Sequence, residues 1–215
     1  MHIRANETGR RVTLRVVLPW IALAALAQQA PEGAQAVFDK AVADFRSGRV
    51  AESAAGFDKV AKLLPSYAPQ LWQRGIALYY AGRYQDCRAQ FESHRTVNPA
   101  DVENAAWHFL CVARAESPAK ARAALLPVGP DSRIPMGQIY RMFKGEMSPE
   151  QMLASAGSTP EGQFYAHLYA GLYFEATGNR DRARAEIVTA ADHYTDGGYM
   201  HDVAMVHRDI LLRSK

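Results

Sequence analysis

A 34-residue period is the feature of this sequence that most restricts its fold. Residues 44–65 read DFRSGRVAESAAGFDKVAKLLP, and residues 78–99 read LYYAGRYQDCRAQFESHRTVNP. Three positions are identical across an interval of 34: Gly48 and Gly82, Phe57 and Phe91, and Pro65 and Pro99. At a fourth, Ser53 and Cys87 are both small. A repeat of this length predicts a supersecondary unit that cannot bury its apolar face alone and stacks against its neighbours.

Each unit has the pattern of two helices. In residues 34–64, apolar side chains recur at helical spacing on both sides of a break at Ser47-Gly48, and Pro65 ends the second helix. Residues 68–98 repeat this arrangement, with a turn at Gly82 and a stop at Pro99. The pattern therefore predicts an all-α fold.

The small and aromatic positions of the two units match a known repeat. They are held by Ala41, Ser53, Phe57 and Pro65 in the first unit, and by Gly75, Cys87, Phe91 and Pro99 in the second. With these residues the chain resembles the tetratricopeptide repeat. The departures are Val37 and Leu71, where that family favours Trp, and Asp44 and Leu78, where it favours Tyr. The resemblance implies a right-handed α-α superhelix.

The rest of the chain extends this pattern less regularly. We predict clear repeats at 34–67 and 68–101, a degenerate repeat at 102–135, an irregular helix pair at 136–163, a degenerate repeat at 164–197 and a capping helix at 200–213. Residues 28–215 are thus expected to form one solenoid of four to five helical hairpins plus the capping helix. Within the irregular pair, we expect a short helix at 136–144 and a second one that starts at 148–150.

Residues 1–27 have the three parts of a secretory signal. A basic leader, MHIRANETGRRVTLR, precedes the apolar run VVLPWIALAALA, and Ala25 and Ala27 form a cleavage signal before Gln28. The 12 residues of the apolar run are too few to span about 30 Å of hydrocarbon. We therefore predict cleavage near Ala27 and an exported protein, periplasmic or secreted, without stable membrane insertion afterwards. A retained anchor and a twin-arginine route through Arg10-Arg11 stay open as alternatives.

The positive charge of the chain is concentrated in that leader. The formal net charge is +3, and residues 1–27 account for it, because the remainder contains 21 basic and 21 acidic residues. A protein that neutralises several phosphates needs a basic surface. The charge distribution therefore argues against nucleic-acid binding.

The two cysteines lie in apolar helical stretches, Cys87 in QDCRAQF and Cys111 in HFLCVAR. Export would permit a disulfide, but a free cysteine is also a common small buried hydrophobe. We expect two buried, unpaired thiols, with a disulfide as the alternative. Neither cysteine has the spacing of a zinc site.

The resemblance also implies where a partner would bind. In tetratricopeptide proteins the first helix of each unit lines the concave face, which here corresponds to Phe38, Arg46, Trp72, Ile76, Tyr79, Tyr80 and Arg114. Large amphipathic side chains dominate binding hot spots, so Trp72, Tyr79 and Tyr80 are the strongest candidates. The alternative is that two of these three side chains pack in the core.

One subclass of these proteins is disfavoured. Repeats that bind chaperone tails use a basic and asparagine clamp for a carboxylate, and the corresponding places here carry Phe38, Val42, Gln73, Glu103 and Trp107. A groove with these side chains would prefer an apolar or helical segment to a charged C-terminal carboxylate.

Catalytic and metal-binding patterns are weak. His193, His201 and His207 lie near several aspartates, but His201 and His207 are six residues apart, whereas a helical metal site needs ligands on one face. The sequence contains no nucleophile elbow, zinc-protease motif, Walker loop or dinucleotide fingerprint. We therefore expect no metal, no cofactor and no catalytic residue, with a hydrolase or metal-dependent enzyme that uses the C-terminal His and Asp residues as the alternative.

The export signal and the repeats together resemble bacterial periplasmic tetratricopeptide proteins, some of which are adaptors for envelope enzymes. The resemblance implies a non-enzymatic scaffold or adaptor in the bacterial cell envelope. Its partner would be a protein or peptide, such as an envelope enzyme, bound on the concave face.

Overall fold

The structure, a computed structural model, describes residues 33–195 and 198–213. The signal segment predicted at 1–27, with its cleavage site, lies outside the described residues. Within the described part, no helix is both long and apolar enough to cross a bilayer.

The described residues form eleven α-helices and one short 3₁₀ helix and contain no strand, so the all-α prediction is confirmed. The α-helices are α1 (Ala34–Arg46), α2 (Val50–Leu63), α3 (Trp72–Tyr80), α4 (Tyr84–His94), α5 (Val102–Ala115), α6 (Pro118–Ala123), α7 (Met136–Lys144), α8 (Pro149–Ala154), α9 (Pro160–Ala176), α10 (Arg180–His193) and α11 (Tyr199–Arg213). The 3₁₀ helix, Pro65–Gln70, joins α2 to α3.

Successive helices pack against one another in hairpins. The pairs α1–α2, α3–α4, α5–α6, α7–α8 and α9–α10 each make direct contact, and α11 follows on α10. Helix α5 lies centrally, because it also contacts α3, α7 and α9. Helix α11 reaches back to α1, so that the last helix of the chain touches the first.

The turns of the first two hairpins are built alike. Gly48 and Gly82 have φ angles of 73° and 74°, a left-handed conformation that only glycine adopts without steric cost. The next amide then donates back to the helix, from Arg49 to the Asp44 carbonyl and from Arg83 to the Leu78 carbonyl, at 2.9 Å each. The 34-residue spacing of the sequence therefore reproduces the same helix end twice.

Polar pairs between consecutive hairpins also recur. Each pair joins the second helix of one hairpin to the following first helix, across 16 residues of sequence. The pairs are Asp58 with Arg74 at 2.7 Å, Glu92 with His108 at 3.3 Å, and Asp192 with Arg208. The first two are one period apart, so the repeat fixes contacts between hairpins as well as within them.

An apolar core runs through all the hairpins. Its largest fully buried side chains include Phe45, Phe57, Phe91, Trp107, Phe109, Phe143, Phe164 and Tyr169. Close packing requires small residues opposite large ones: a Cβ on Gly75 would lie 2.6 Å from the ring of Phe91. In the irregular segment, Ile139, Met142, Phe143 and Met152 are fully buried, so this segment belongs to the core. Its Ser148 forms a capping box with Gln151 at the start of α8.

The expectation of unpaired thiols is wrong. Cys87 on α4 and Cys111 on α5 form a disulfide, with their Cα atoms 5.9 Å apart. Both residues are fully buried, as the apolar setting predicted. The pairing arises because α4 and α5 pack side by side and bring the two cysteines within disulfide reach.

Candidate functional site

The residues of the predicted binding surface lie on the first helices of three hairpins. Phe38 and Arg46 are on α1, Trp72, Ile76, Tyr79 and Tyr80 on α3, and Arg114 on α5. Ile76 and Tyr79 are buried, with exposed fractions of 0% and 5%. Phe38, Trp72 and Tyr80 are half-buried, and the two arginines are exposed. We call this set of residues the first-helix surface.

Helix α11 lies on the first-helix surface. The ring of Tyr199 stacks on Phe45 at 5.4 Å and meets the edge of Trp72 at 5.3 Å. Arg46 Nε donates to Asp202 Oδ2 at 2.7 Å, across 156 residues of sequence. The surface that the resemblance assigns to a partner therefore carries a helix of the same chain.

A polar chain joins α11 to two first helices. The Tyr80 hydroxyl lies 2.8 Å from His207 Nδ1, and His207 Nε2 lies 3.3 Å from Glu175 on α9. Burial lowers the pKa of His207 and raises the pKa of Tyr80 well above its usual value. Both groups are therefore held in their uncharged forms at neutral pH.

The three C-terminal histidines do not meet. His193 is exposed at the end of α10, His201 lies 3.2 Å from the Ala191 carbonyl, and His207 belongs to the α11 contact. Across 33–195 and 198–213, no group of three or more His, Cys, Asp or Glu side chains is placed to hold a metal ion.

A cavity of about 340 Å³ opens beside the α11 contact. Its lining comes from α3, α4, α5, α9, α11 and the stretch before α7. The lining residues are Trp72, Phe91, His94, Asp101, Glu103, Asn104, Trp107, Arg133, Tyr165, Tyr199 and Met200. Trp72 thus belongs to both the first-helix surface and this cavity, which we call the central cavity.

Arg133 is tied to three carboxylates at one wall of the cavity. Its Nη1 donates to Glu103 at 2.6 Å, its Nη2 to Asp101 at 2.8 Å, and its Nε and Nη2 both contact Asp131. The Tyr169 hydroxyl donates to the other oxygen of Glu103 at 2.7 Å. Burial, with the neighbouring charge of Asp101, raises the pKa of Glu103 to about 7.

The sequence alone does not predict the central cavity. It indicates Glu103 and Trp107 as places where a carboxylate clamp would lie, and Trp72 as a hot-spot candidate. Asn104, Arg133 and Tyr199 carried no motif. One local signal was present, because Asn104 and Trp107 are three residues apart and so share a face of α5.

No protein-family model matches this chain, and no curated protein shows significant similarity to it.

Proposed function

We propose that this protein is a non-enzymatic interaction scaffold of the bacterial cell envelope, built as a tetratricopeptide-type superhelix and exported by its N-terminal signal. The proposal about the fold rests on the 34-residue period, the identical turns at Gly48 and Gly82 and the recurring polar pairs between hairpins. Export is supported by the buried Cys87–Cys111 disulfide, since disulfides persist mainly in oxidising compartments.

The observation that carries the functional proposal is the position of α11. The first-helix surface already binds an amphipathic helix, through the ring of Tyr199, which stacks on Phe45 and meets the edge of Trp72, and through the Arg46–Asp202 ion pair. A partner helix with the same pattern would make the same contacts. Helix-in-groove binding of this kind depends on apolar anchors repeated along one helix face. The partner is then a protein segment that replaces α11.

Because a partner must displace α11, its apparent affinity equals its intrinsic affinity multiplied by the fraction of molecules in which α11 is released. A change that only loosens α11 therefore strengthens partner binding. Asp202→Arg sets two positive charges against each other at the Arg46 contact. The double variant Arg46→Asp/Asp202→Arg restores an opposite-charge pair and is the matched control.

The test uses a labelled peptide of residues 198–213 added to the full chain, with binding followed by fluorescence anisotropy. We expect the peptide to bind Asp202→Arg about fivefold more tightly than wild type, because the lost pair and the new repulsion are worth about 1 kcal/mol. Capture of partners from an envelope extract should be stronger with Asp202→Arg and should not exceed the wild-type level with the double variant, because its restored pair holds α11 in place again. Equal binding by all three proteins, with faster amide exchange in α11 of Asp202→Arg, would refute the proposal.

A further inference from the structure

The wall of the central cavity around Arg133 carries a net negative charge. Arg133 is bound by the carboxylates of Asp101, Glu103 and Asp131, and it is the only Lys or Arg among the described residues that line the cavity. Three carboxylates thus surround one guanidinium, so the cluster stays net negative even when Glu103 holds a proton. Because a cleft lined by one sign of charge concentrates its field, this cavity favours a cation and repels an anion.

The carboxylate oxygens at this wall already accept hydrogen bonds. Asp101 Oδ1 accepts from Arg133 and from the Glu103 backbone N–H, and Asp101 Oδ2 accepts from Asn98. Glu103 accepts from Arg133 on one oxygen and from Tyr169 on the other. A primary ammonium has three N–H donors, each of which needs an acceptor when it leaves water. The wall offers charge but few free acceptors, so it suits a cation that has no N–H group.

Three aromatic residues of the lining keep accessible surface. Trp72 and Tyr199 are half-buried, and Tyr165 is 8% exposed. The rings of Trp72 and Tyr199 stand at 89° with their centroids 5.3 Å apart, so they form a corner with two aromatic sides. The face of an aromatic ring attracts a cation, most strongly when the ring is Trp, and aromatic cages recognise quaternary ammonium groups in this way.

One hydrogen-bond acceptor in the lining is free and accessible. His94 is only 5% exposed, and its Nδ1 donates to the Pro69 carbonyl at 2.8 Å. In the neutral ring the lone pair is then on Nε2. This atom makes no hydrogen bond to a described residue, yet it keeps accessible surface, unlike the side-chain nitrogens of Asn104 and Trp107. Since buried polar groups are normally paired, Nε2 indicates a ligand that carries one hydrogen-bond donor.

We propose that the central cavity binds a small quaternary ammonium ion that carries a hydroxyl, of the size of choline. The methylated ammonium contacts the rings of Trp72 and Tyr199 beside the negative wall, and the hydroxyl donates to His94 Nε2. The same cation occurs in lipid headgroups, but there it is joined to a phosphate, which would meet the carboxylates of Asp101 and Glu103. The cavity volume of about 340 Å³ lies within the range of small-molecule sites.

The proposal is tested on the full chain by calorimetry and thermal melting with four probes: choline, neohexanol, ethanolamine and phosphocholine. Neohexanol has the shape and hydroxyl of choline but a carbon in place of the nitrogen, and ethanolamine has a primary ammonium. We expect choline to bind and raise the melting temperature, and the other three to bind more weakly by about tenfold or more. Failure of choline to bind, or equal or tighter binding of another probe, would overturn the assignment.

Variants at two positions test the contacts of the ammonium group. Trp72→Leu removes the aromatic face and should weaken choline binding by about tenfold, whereas Trp72→Phe keeps a ring and should lose about threefold or less. Equal losses in the two variants would show that the indole contributes shape alone and would refute the cation–π contact.

Glu103→Gln removes charge at nearly constant shape. It should weaken choline binding severalfold at about pH 8, above the Glu103 pKa of about 7. Glu150→Gln is the matched control, because Glu150 is exposed and does not line the cavity. Equal choline binding by both variants and wild type would contradict the role of the negative wall.

A variant of His94 tests the hydroxyl contact. His94→Asn keeps an N–H group near the position of Nδ1 but lacks Nε2. It should weaken choline binding by about fivefold and leave the binding of tetramethylammonium, which has no hydroxyl, unchanged. If both ions lose affinity alike, the hydroxyl does not reach Nε2 and the assignment fails. These measurements are independent of the peptide assay with Asp202→Arg, so failure of the cation site and failure of the scaffold function are distinguishable.

Discussion

Two neighbouring regions of the inner helices are held together in different ways. Where α11 lies on the first-helix surface, Tyr80 is bonded to His207 and Arg46 to Asp202. At the wall of the central cavity, Arg133 binds three carboxylates, and a disulfide joins α4 to α5. Tyr199 takes part in both regions, because its ring stacks on Phe45 while the residue also lines the cavity. The comparison shows that the α11 contact depends on two side-chain pairs between distant parts of the chain, whereas the cavity wall is supported by a charge network and a covalent bond.

The largest effect is expected at the residue between the two regions. The ring of Tyr79 contacts both Tyr80 of the α11 contact and Trp107 of the cavity wall. Tyr79→Ala should lower the free energy of unfolding by about 3–5 kcal/mol, the usual cost of removing a buried aromatic side chain. Denaturant titration measures this loss. Tyr79→Phe keeps the ring and should change the stability by less than about 1 kcal/mol. If Tyr79→Ala were as stable as wild type, the two regions would not share a core.

A second prediction concerns the covalent support of the cavity wall. The disulfide joins α4 to α5 across 24 residues of sequence. Closing a loop of that length should stabilise the fold by about 3 kcal/mol, so Cys87→Ala/Cys111→Ala should melt at a markedly lower temperature. The α11 contact has no such link. Amide exchange should therefore rise first in α4 and α5 of the variant, and an unchanged melting temperature would contradict the structure.

A third prediction uses the pH dependence of the cavity wall. The pKa of Glu103 is raised to about 7 in the folded protein, whereas an unfolded Glu titrates near 4.3. The folded state thus binds the Glu103 proton more tightly than the unfolded state does. The free energy of unfolding therefore falls as the pH rises from about 4.3 to 7. Glu103→Gln cannot ionise. The stability of wild type relative to Glu103→Gln should fall by about 3 kcal/mol over that window.

Thermal melts of both proteins from acid to neutral pH measure this difference. The carboxylates that lie far from Glu103 titrate equally in the two proteins and cancel in the comparison. A constant difference across the window would show that Arg133 and Tyr169, which both donate to Glu103, keep it ionised.

The smallest effect is expected at the α11 contact, with the opposite pH dependence. Burial lowers the pKa of His207 below that of an exposed histidine, so the unfolded state takes up the proton first. The free energy of unfolding is therefore not reduced by His207 above about pH 6.5, and it falls as the pH drops below that value. His207→Asn should make the loss of stability at acid pH smaller. Amide exchange in α11 at mildly acid pH measures it, and equal acid sensitivity in both proteins would refute this assignment.

The parts of the fold that were predictable from the sequence are those with local signals. The turns at Gly48 and Gly82, the cap at Ser148 and the bounds of the helix at 136–144 follow from residues that are close together in the chain. Hydrophobic periodicity and helix caps act over one or two turns, so a single sequence displays them.

The position of α11 and most of the cavity lining have no local signal. Arg46 and Asp202 are 156 residues apart, and nothing near either residue specifies the other. Arg133 enters the cavity wall from the Pro/Gly-rich stretch that precedes α7. The disulfide escaped prediction for a related reason, since the spacing of Cys87 and Cys111 does not reveal which helix faces meet.

The contacts of α11 with α1 and α3 also depend on the order in which the chain is synthesised. Tyr80 and His207 are 127 residues apart, and a ribosome that adds about 5–20 residues per second needs roughly 6–25 s to make the intervening chain. During that interval Phe45, Trp72 and Tyr80 have been synthesised, but the helix that covers them has not. Exposed aromatic surface promotes aggregation. In a chain that stops before residue 199, the aromatic side chains on α1 and α3 therefore stay exposed. A late stop codon thus promotes aggregation through helices near the start of the protein.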